Sequence, residues 1–150
     1  MSSERSRLSG AALDFLNIVA PRLSLKFEPL VSLLLPSVLR LSNRPNKVYV
    51  TRAEKSLMMI ITYCPIPSVI SHLLVACKES KIATGRIAAV EGALRALNKW
   101  DWTQTPLKAK VGDIEEIIRL SGKDKDPSVR QSSRKVFDAY KALFADRLDE

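Results

Sequence analysis

The chain of 150 residues is poor in the residues on which most enzymes and metalloproteins are built, with one histidine, two cysteines and five glycines. Cys64 and Cys77 lie 13 positions apart with no C-x-x-C pair and no flanking histidine, so a zinc site is not expected and two unpaired core thiols are. Gly10, Gly85, Gly92, Gly112 and Gly122 form no phosphate-binding loop. His72 sits beside Leu73 and Leu74 without a serine or cysteine elbow, which reads as a packed or half-exposed imidazole rather than a general base. Glu115 and Glu116 are adjacent, and Asp146, Asp149 and Glu150 are terminal, whereas an acid/base pair needs carboxylates converging from separate elements. No enzyme is expected, and no catalytic residue, metal or cofactor.

Long apolar runs are also missing. None reaches the roughly 18 residues of a membrane span, and Asp14 and Asn17 interrupt the first stretch where a signal peptide would be continuously apolar. A cytoplasmic protein is the expectation. Acidic residues are in deficit: 24 Lys and Arg against 16 Asp and Glu give a net charge of +8, which calls for an acidic partner such as nucleic acid, an anionic membrane or an acidic protein surface. Aromatics are only 6% and none lies in a basic loop, so stacking platforms for single-stranded nucleic acid are lacking.

Helical periodicity fills the chain instead. A helix from about Glu4 to Ala20 has an apolar stripe of Leu8, Ala11, Ala12, Phe15, Ile18 and Val19 and is expected to end at Pro21. A second, from about Phe27 to Leu41, is almost wholly apolar and should be covered on both sides, with a kink at Pro36. A third runs from about Lys47 to Tyr63, its β-branched start being equally compatible with a strand. Pro65 and Pro67 bracket a turn before a short helix through Val69, Ile70, Leu73 and Leu74 to about Lys78. The next helix, about Ile82 to Lys99, has Ala88, Ala89, Gly92, Ala93 and Ala96, which permit close helix approach, and is closed by Trp100 and Trp102. A sixth, about Pro106 to Leu120, carries Leu107, Val111, Ile114, Ile117 and Ile118, with Gly122 as its stop. The last is capped by Asp126 with Pro127 first, and turns Val129, Val136, Phe137, Tyr140, Leu143 and Phe144 inward.

These helices repeat. The ends of the first helices of three hairpins align Val38, Leu73 and Ile117, and the second helices align Arg52, Arg86 and Arg130, with Arg7 at the same place in the opening helix. The fold class expected is all-α, a HEAT-repeat solenoid of about seven antiparallel helices in a single domain over residues 1–150. Each hairpin turn is basic: Asn43 to Lys47, Lys78 to Lys81, and Lys123 to Pro127. Stacking would line these turns along one edge as a positive ridge.

Arg7-Leu-Ser-Gly-Ala-Ala-Leu-Asp-Phe-Leu, Phe27-Glu-Pro-Leu with Leu35-Pro36, Asn46-Lys47-Val48, Ile66-Pro67 and Asp126-Pro-Ser-Val-Arg130, taken in order and spacing, resemble a TOG domain of the CLASP family of microtubule regulators. The resemblance extends over nearly the whole chain. It implies a flat paddle of HEAT hairpins that binds αβ-tubulin or the microtubule lattice through loops on one edge, in the cytoplasm on microtubules and the spindle. Only the later hairpins have counterparts here, so the domain reads as truncated at its start, without the family's tubulin-contacting tryptophan. Self-association through the uncovered opening helix is a further expectation.

The resemblance and the loop chemistry together pick Arg44, Asn46, Lys47, Lys78, Lys81, Lys123, Lys125 and Arg130 as tubulin-facing. Arg52 and Arg86 are assigned to structure, as caps or ion pairs between hairpins, and Arg130 is divided between the two roles. Two alternatives stand beside this reading: a HEAT scaffold for an acidic helix or peptide, and, less well supported, a binder of the nucleic-acid phosphate backbone.

Overall fold

A computed structural model describes residues 2–41 and 47–147, with side chains for 11–41, 47–48 and 50–146. Eight helices account for most of it: α1 (Ser2–Leu23), α2 (Glu28–Leu41), α3 (Lys47–Tyr63), α4 (Pro67–Glu79), α5 (Ala83–Lys99), a single turn α6 (Thr105–Lys108), α7 (Val111–Gly122) and α8 (Pro127–Leu143). There is no strand among the described residues, and the β-branched start of α3 is helical.

The helices pack in two rows. One row runs α2, α4, α7, each against the next; the other runs α1, α3, α5, α8; and α2 with α3, α4 with α5, and α7 with α8 close the hairpins between rows. This is the all-α HEAT-type solenoid expected. The core lies between the rows, where Leu35, Leu57, Ile60, Ile61, Ile70, Leu73, Ile114 and Ile117 are sealed from solvent. Helix α5 occupies the middle and touches α3, α4 and α8. Its small residues make that possible: a Cβ added at Gly92 would meet Ile61 Cδ1 at 3.0 Å and Leu73 Cδ2 at 3.1 Å. Trp100 and Trp102 are buried at its end, Trp100 donating from Nε1 to the Ile61 carbonyl at 2.6 Å, and both thiols are free and buried.

The structure corrects several details. The buried stripe of α1 is Leu13, Leu16 and Ala20, whereas Phe15 and Ile18 are each 60% exposed. Helix α1 is the outermost of its row and buries only the face turned to α3, and polar bonds choose that face. Arg52 pairs with Asp14 at 2.9 Å, and the buried Ser56 hydroxyl donates to Asn17 Oδ1 at 2.9 Å. Pro21 does not end α1. In the last turn a proline forfeits one backbone bond, and the helix runs on to Leu23, followed by Ser24 at φ 48° in the left-handed region.

Helix α2 is continuous through Pro36, but it is covered on one side only, because it too is outermost, and Leu33 stays 68% exposed. The sixth helix is two pieces: Leu107, Val111, Ile114 and Ile117 are buried as expected and Ile118 is half-buried, yet the chain leaves helical geometry at Lys110 (φ −98°, ψ 4°), whose ammonium donates to Ser71 Oγ at 2.8 Å. Gly122 is the last residue of α7, with no left-handed glycine among the described residues. In α8, Phe137 and Leu143 point outward, while Val129, Val136, Tyr140 and Phe144 are buried.

Candidate functional site

Parallel stacking brings the second and third hairpin turns, and the start of α3, to one edge of the solenoid. The first turn, with Arg44 and Asn46, lies outside the described residues; its last residue, Lys47, opens α3 and is exposed. The second turn joins α4 to α5 through Ser80 to Ile82, and the third joins α7 to α8 through Lys123 to Asp126.

The third turn is held by its own side chains. Asp126 caps α8, accepting from the backbone N–H of Ser128 at 2.8 Å and of Val129 at 3.4 Å, and Pro127 needs no donor partner there. Arg130 Nη1 donates to the Asp124 carbonyl at 2.7 Å, closing the turn over its helix. Asp124 in turn is the acceptor for Arg86 of the second hairpin, at 2.7 Å from Nε and 3.2 Å from Nη2, and it also accepts from the Asp126 N–H at 2.9 Å. Arg86 Nη1 donates to the Ser80 carbonyl at 3.0 Å. One guanidinium thus ties the second turn to the third, and both side chains of the pair are 10% exposed. Burial alone would raise the Asp124 carboxyl, but the Arg86 and Asp126 hydrogen bonds and the charges of Arg86 and Lys125 outweigh it and hold it below its ordinary range.

Arg52, at the same register of α3, instead reaches back to Asp14 in the body of α1, at a far more open site. The arginine register is therefore structural, as the sequence suggested, and Arg130 makes a structural bond as well. The expected loop lysines are different. Lys47, Lys78, Lys81, Lys123 and Lys125 are all exposed and form no ion pair among the described residues. Lys78 and Lys125 line one depression of about 400 Å³, together with Cys77, Ser80, Arg86, Leu120 and Asp124; Lys81 and Lys123 lie outside it.

Placing the helices on their arginines adds two things that the sequence reading passed over. Lys47, Lys81 and Lys125 stand at one position, five residues before Arg52, Arg86 and Arg130. The next position holds Val48, Ile82 and Asp126, and the two apolar side chains are 63% and 46% exposed. For Ile82 the signal was the missing cap, since it is the N-cap of α5 and makes no side-chain cap bond, whereas Val48 is already the second residue of α3.

Groups that could carry chemistry are quiet. Burial lifts the Cys64 thiol to about 11, and burial, then Asp124, take Cys77 to about 11 despite Arg86, so both stay protonated and poorly nucleophilic at neutral pH. Burial lowers the His72 imidazole. No group of three or more metal-ligating side chains occurs among the described residues. Nor, among them, is any helix long and apolar enough to cross a membrane.

Fold and edge together define a HEAT-type solenoid whose second and third hairpin turns, clamped to each other, present lysines that form no ion pair among the described residues. The CLASP N-terminal family matches residues 1–149, and the chain belongs to that family, which makes it a domain of the CLASP type of microtubule regulator. No curated protein matches the chain closely enough to count as a relative.

Proposed function

We propose that this edge binds the acidic surface of αβ-tubulin, free or in the microtubule lattice, and that the domain acts there as a binding module without catalytic activity. Lys47, Lys81 and Lys125 are the principal contacts, with Lys78 and Lys123 beside them; Arg44 and Asn46 belong to the same edge by sequence position. The observation that carries the reading is the repetition of an exposed lysine at one register, the second and third turns being locked together through Arg86 and Asp124. A row of cations held on a rigid scaffold meets a fixed acidic surface with little ordering cost. Family membership supplies the microtubule context and, with it, a cytoplasmic setting.

Each exposed lysine should contribute about 0.2 to 1 kcal/mol, so Lys47→Ala, Lys81→Ala and Lys125→Ala combined should weaken binding roughly 3- to 150-fold. Gel filtration with free tubulin and co-sedimentation with microtubules, each over a salt series, measure this, with a DNA and RNA mobility shift at matched salt as the control. Nucleic-acid binding without tubulin retention would end the proposal. So would a triple variant that binds as well as the parent.

One observation favours a scaffold reading. A groove of about 500 Å³ runs between α3 and α5, its floor made by Met58, Met59 and Ile87 and its walls carrying Glu54, Glu91 and Arg95. Flexible methionines suit an adaptable protein contact. If reversing the charge of Lys47 and Lys81 left tubulin binding intact, attention would move to this groove.

A further inference from the structure

Ile82 occupies a position that neither capping nor packing explains. An N-cap favours Ser, Thr, Asp or Asn, whose side chains satisfy the open N–H groups of the first turn, and isoleucine is among the poorest choices. The third repeat follows that rule with Asp126, which accepts two such bonds. At Ile82 the rule is broken, and no burial offsets the loss, since the side chain is 46% exposed at the start of α5. Val48 stands at the same register in the first repeat, 63% exposed, directly after Lys47 as Ile82 is directly after Lys81. Val48 lies at the start of α3 and Ile82 caps the start of α5, and the two helices pack side by side in one row, with interaxial distances of about 8 to 10 Å usual for such pairs.

Exposed apolar residues scattered singly need no explanation. Two at one register, each next to an unpaired lysine on the edge already set out for binding, make a composite surface. We infer that Val48 and Ile82 are the contacts that set affinity and specificity on this edge, entering an apolar recess of the partner's surface that is flanked by carboxylates, while Lys47 and Lys81 steer the approach. The inference rests on the tubulin reading above and adds to it a chemical requirement: an acidic surface without an apolar depression at that spacing binds weakly. Charge pairs on an open edge lose strength as salt rises, whereas burial of β-branched side chains does not. The two kinds of contact are therefore separable by their salt dependence.

The test measures the affinity of the full chain for free αβ-tubulin across a salt series, with Val48→Ser, Ile82→Ser, their combination, Ile82→Leu and Lys81→Ala. Completing the burial of a half-exposed isoleucine corresponds to about a 5-fold effect, so Ile82→Ser should weaken binding about 5-fold and the double variant about 25-fold. The slope of log Kd against log salt should stay that of the parent in both. Ile82→Leu should restore most of the affinity, and Lys81→Ala should flatten the slope. Serine is the better cap, so Ile82→Ser should also raise Tm by roughly 2 to 4 °C, which separates lost contact from lost fold. Parental affinity in Ile82→Ser and in the double variant, while Lys81→Ala is weakened, overturns the inference and leaves the tubulin reading standing. A changed salt slope in Ile82→Ser also overturns it. Parental affinity in every variant overturns both.

Discussion

Replacing Arg86 with methionine keeps most of the aliphatic stem and removes the guanidinium that joins two hairpins. Three hydrogen bonds go with it: those to Asp124 at 2.7 and 3.2 Å and that to the Ser80 carbonyl at 3.0 Å. More important is what stays behind. Asp124 keeps its charge at a site where its side chain is 10% exposed, with the Asp126 N–H as its remaining close donor. Breaking one side of a buried pair costs about 3 to 5 kcal/mol, and the residual solvent contact here argues for the lower end, about 3. The internal control is Arg52, at the same register, whose pair with Asp14 is 39% and 68% exposed. Arg52→Met should lose no more than about 1 kcal/mol. At about 2 to 4 °C per kcal/mol for a domain of this size, the Tm should fall by roughly 6 to 12 °C in Arg86→Met and by less than about 4 °C in Arg52→Met.

Urea unfolding followed by the fluorescence of the buried Trp100 and Trp102 reads both changes. Adding Asp124→Leu to Arg86→Met should recover much of the loss, because the orphaned carboxylate is removed. The pH dependence gives a second check. Asp124 titrates below its ordinary 3.8 in the folded protein, so its contribution is fully present above that value and is lost as pH falls through the folded pKa. The gap between parent and Arg86→Met should hold steady at neutral pH and close below about pH 4. Equal losses in the Arg86 and Arg52 variants, or a double variant whose losses simply add, would refute the argument that burial makes the clamp.

Three further outcomes follow from the described side chains. Glu54 in the α3–α5 groove has its carboxyl raised above 4.5 by burial and then by Glu91, so its ionisation costs stability, a cost that sets in above pH 4.5 and is complete above the folded pKa. Glu54→Gln should therefore raise Tm at pH 7, and the gain should vanish as pH drops below 4.5; an equal gain at pH 4 and pH 7 would contradict this. On α1, Leu16→Ala should cost about 2 to 5 kcal/mol in a urea melt while Phe15→Ser changes stability by less than about 0.5 kcal/mol. The reverse order would place the wrong face against α3. If the exposed Phe15 and Ile18 serve self-association, light scattering should show Phe15→Ser with Ile18→Ser moving the chain toward monomer.

Much of the fold could be read from periodicity, because a helix between two rows must repeat its apolar residues every three to four positions. The small residues of α5 announced a tightly packed central helix, and Gly92 is packed against Ile61 and Leu73. Asp126 and Pro127 announced the start of α8. What periodicity could not settle was orientation where a helix has two apolar stripes. In α1 both Leu13–Leu16–Ala20 and Phe15–Ile18–Val19 fit a helix, and the choice fell to Asp14 and Asn17, which meet Arg52 and Ser56 some 38 and 39 residues away. The break before α7 was equally hidden, since the buried positions Leu107 and Val111 suit one helix or two.

The edge was partly legible for a similar reason. An arginine one turn inside a helix can reach the neighbouring turn, and that assignment needed only the repeat. Its acceptor needed the structure: Asp124 sits among Lys123, Lys125 and Asp126 in sequence, and nothing local marks it rather than Asp126 as the partner of Arg86. The consequence is a division of labour along a single row of turns. Arg86 and Arg130 fix where the second and third turns stand, and removing the buried Arg86 loosens the two turns from each other. The lysines five residues earlier are exposed and form no ion pair among the described residues, and the side chains of Val48 and Ile82 beside them are largely or half exposed, so their replacement should not unfold the domain. On such an edge the scaffold and the binding surface are built from adjacent positions yet respond independently to substitution, which is why melting and tubulin affinity, measured on the same variants, can distinguish them.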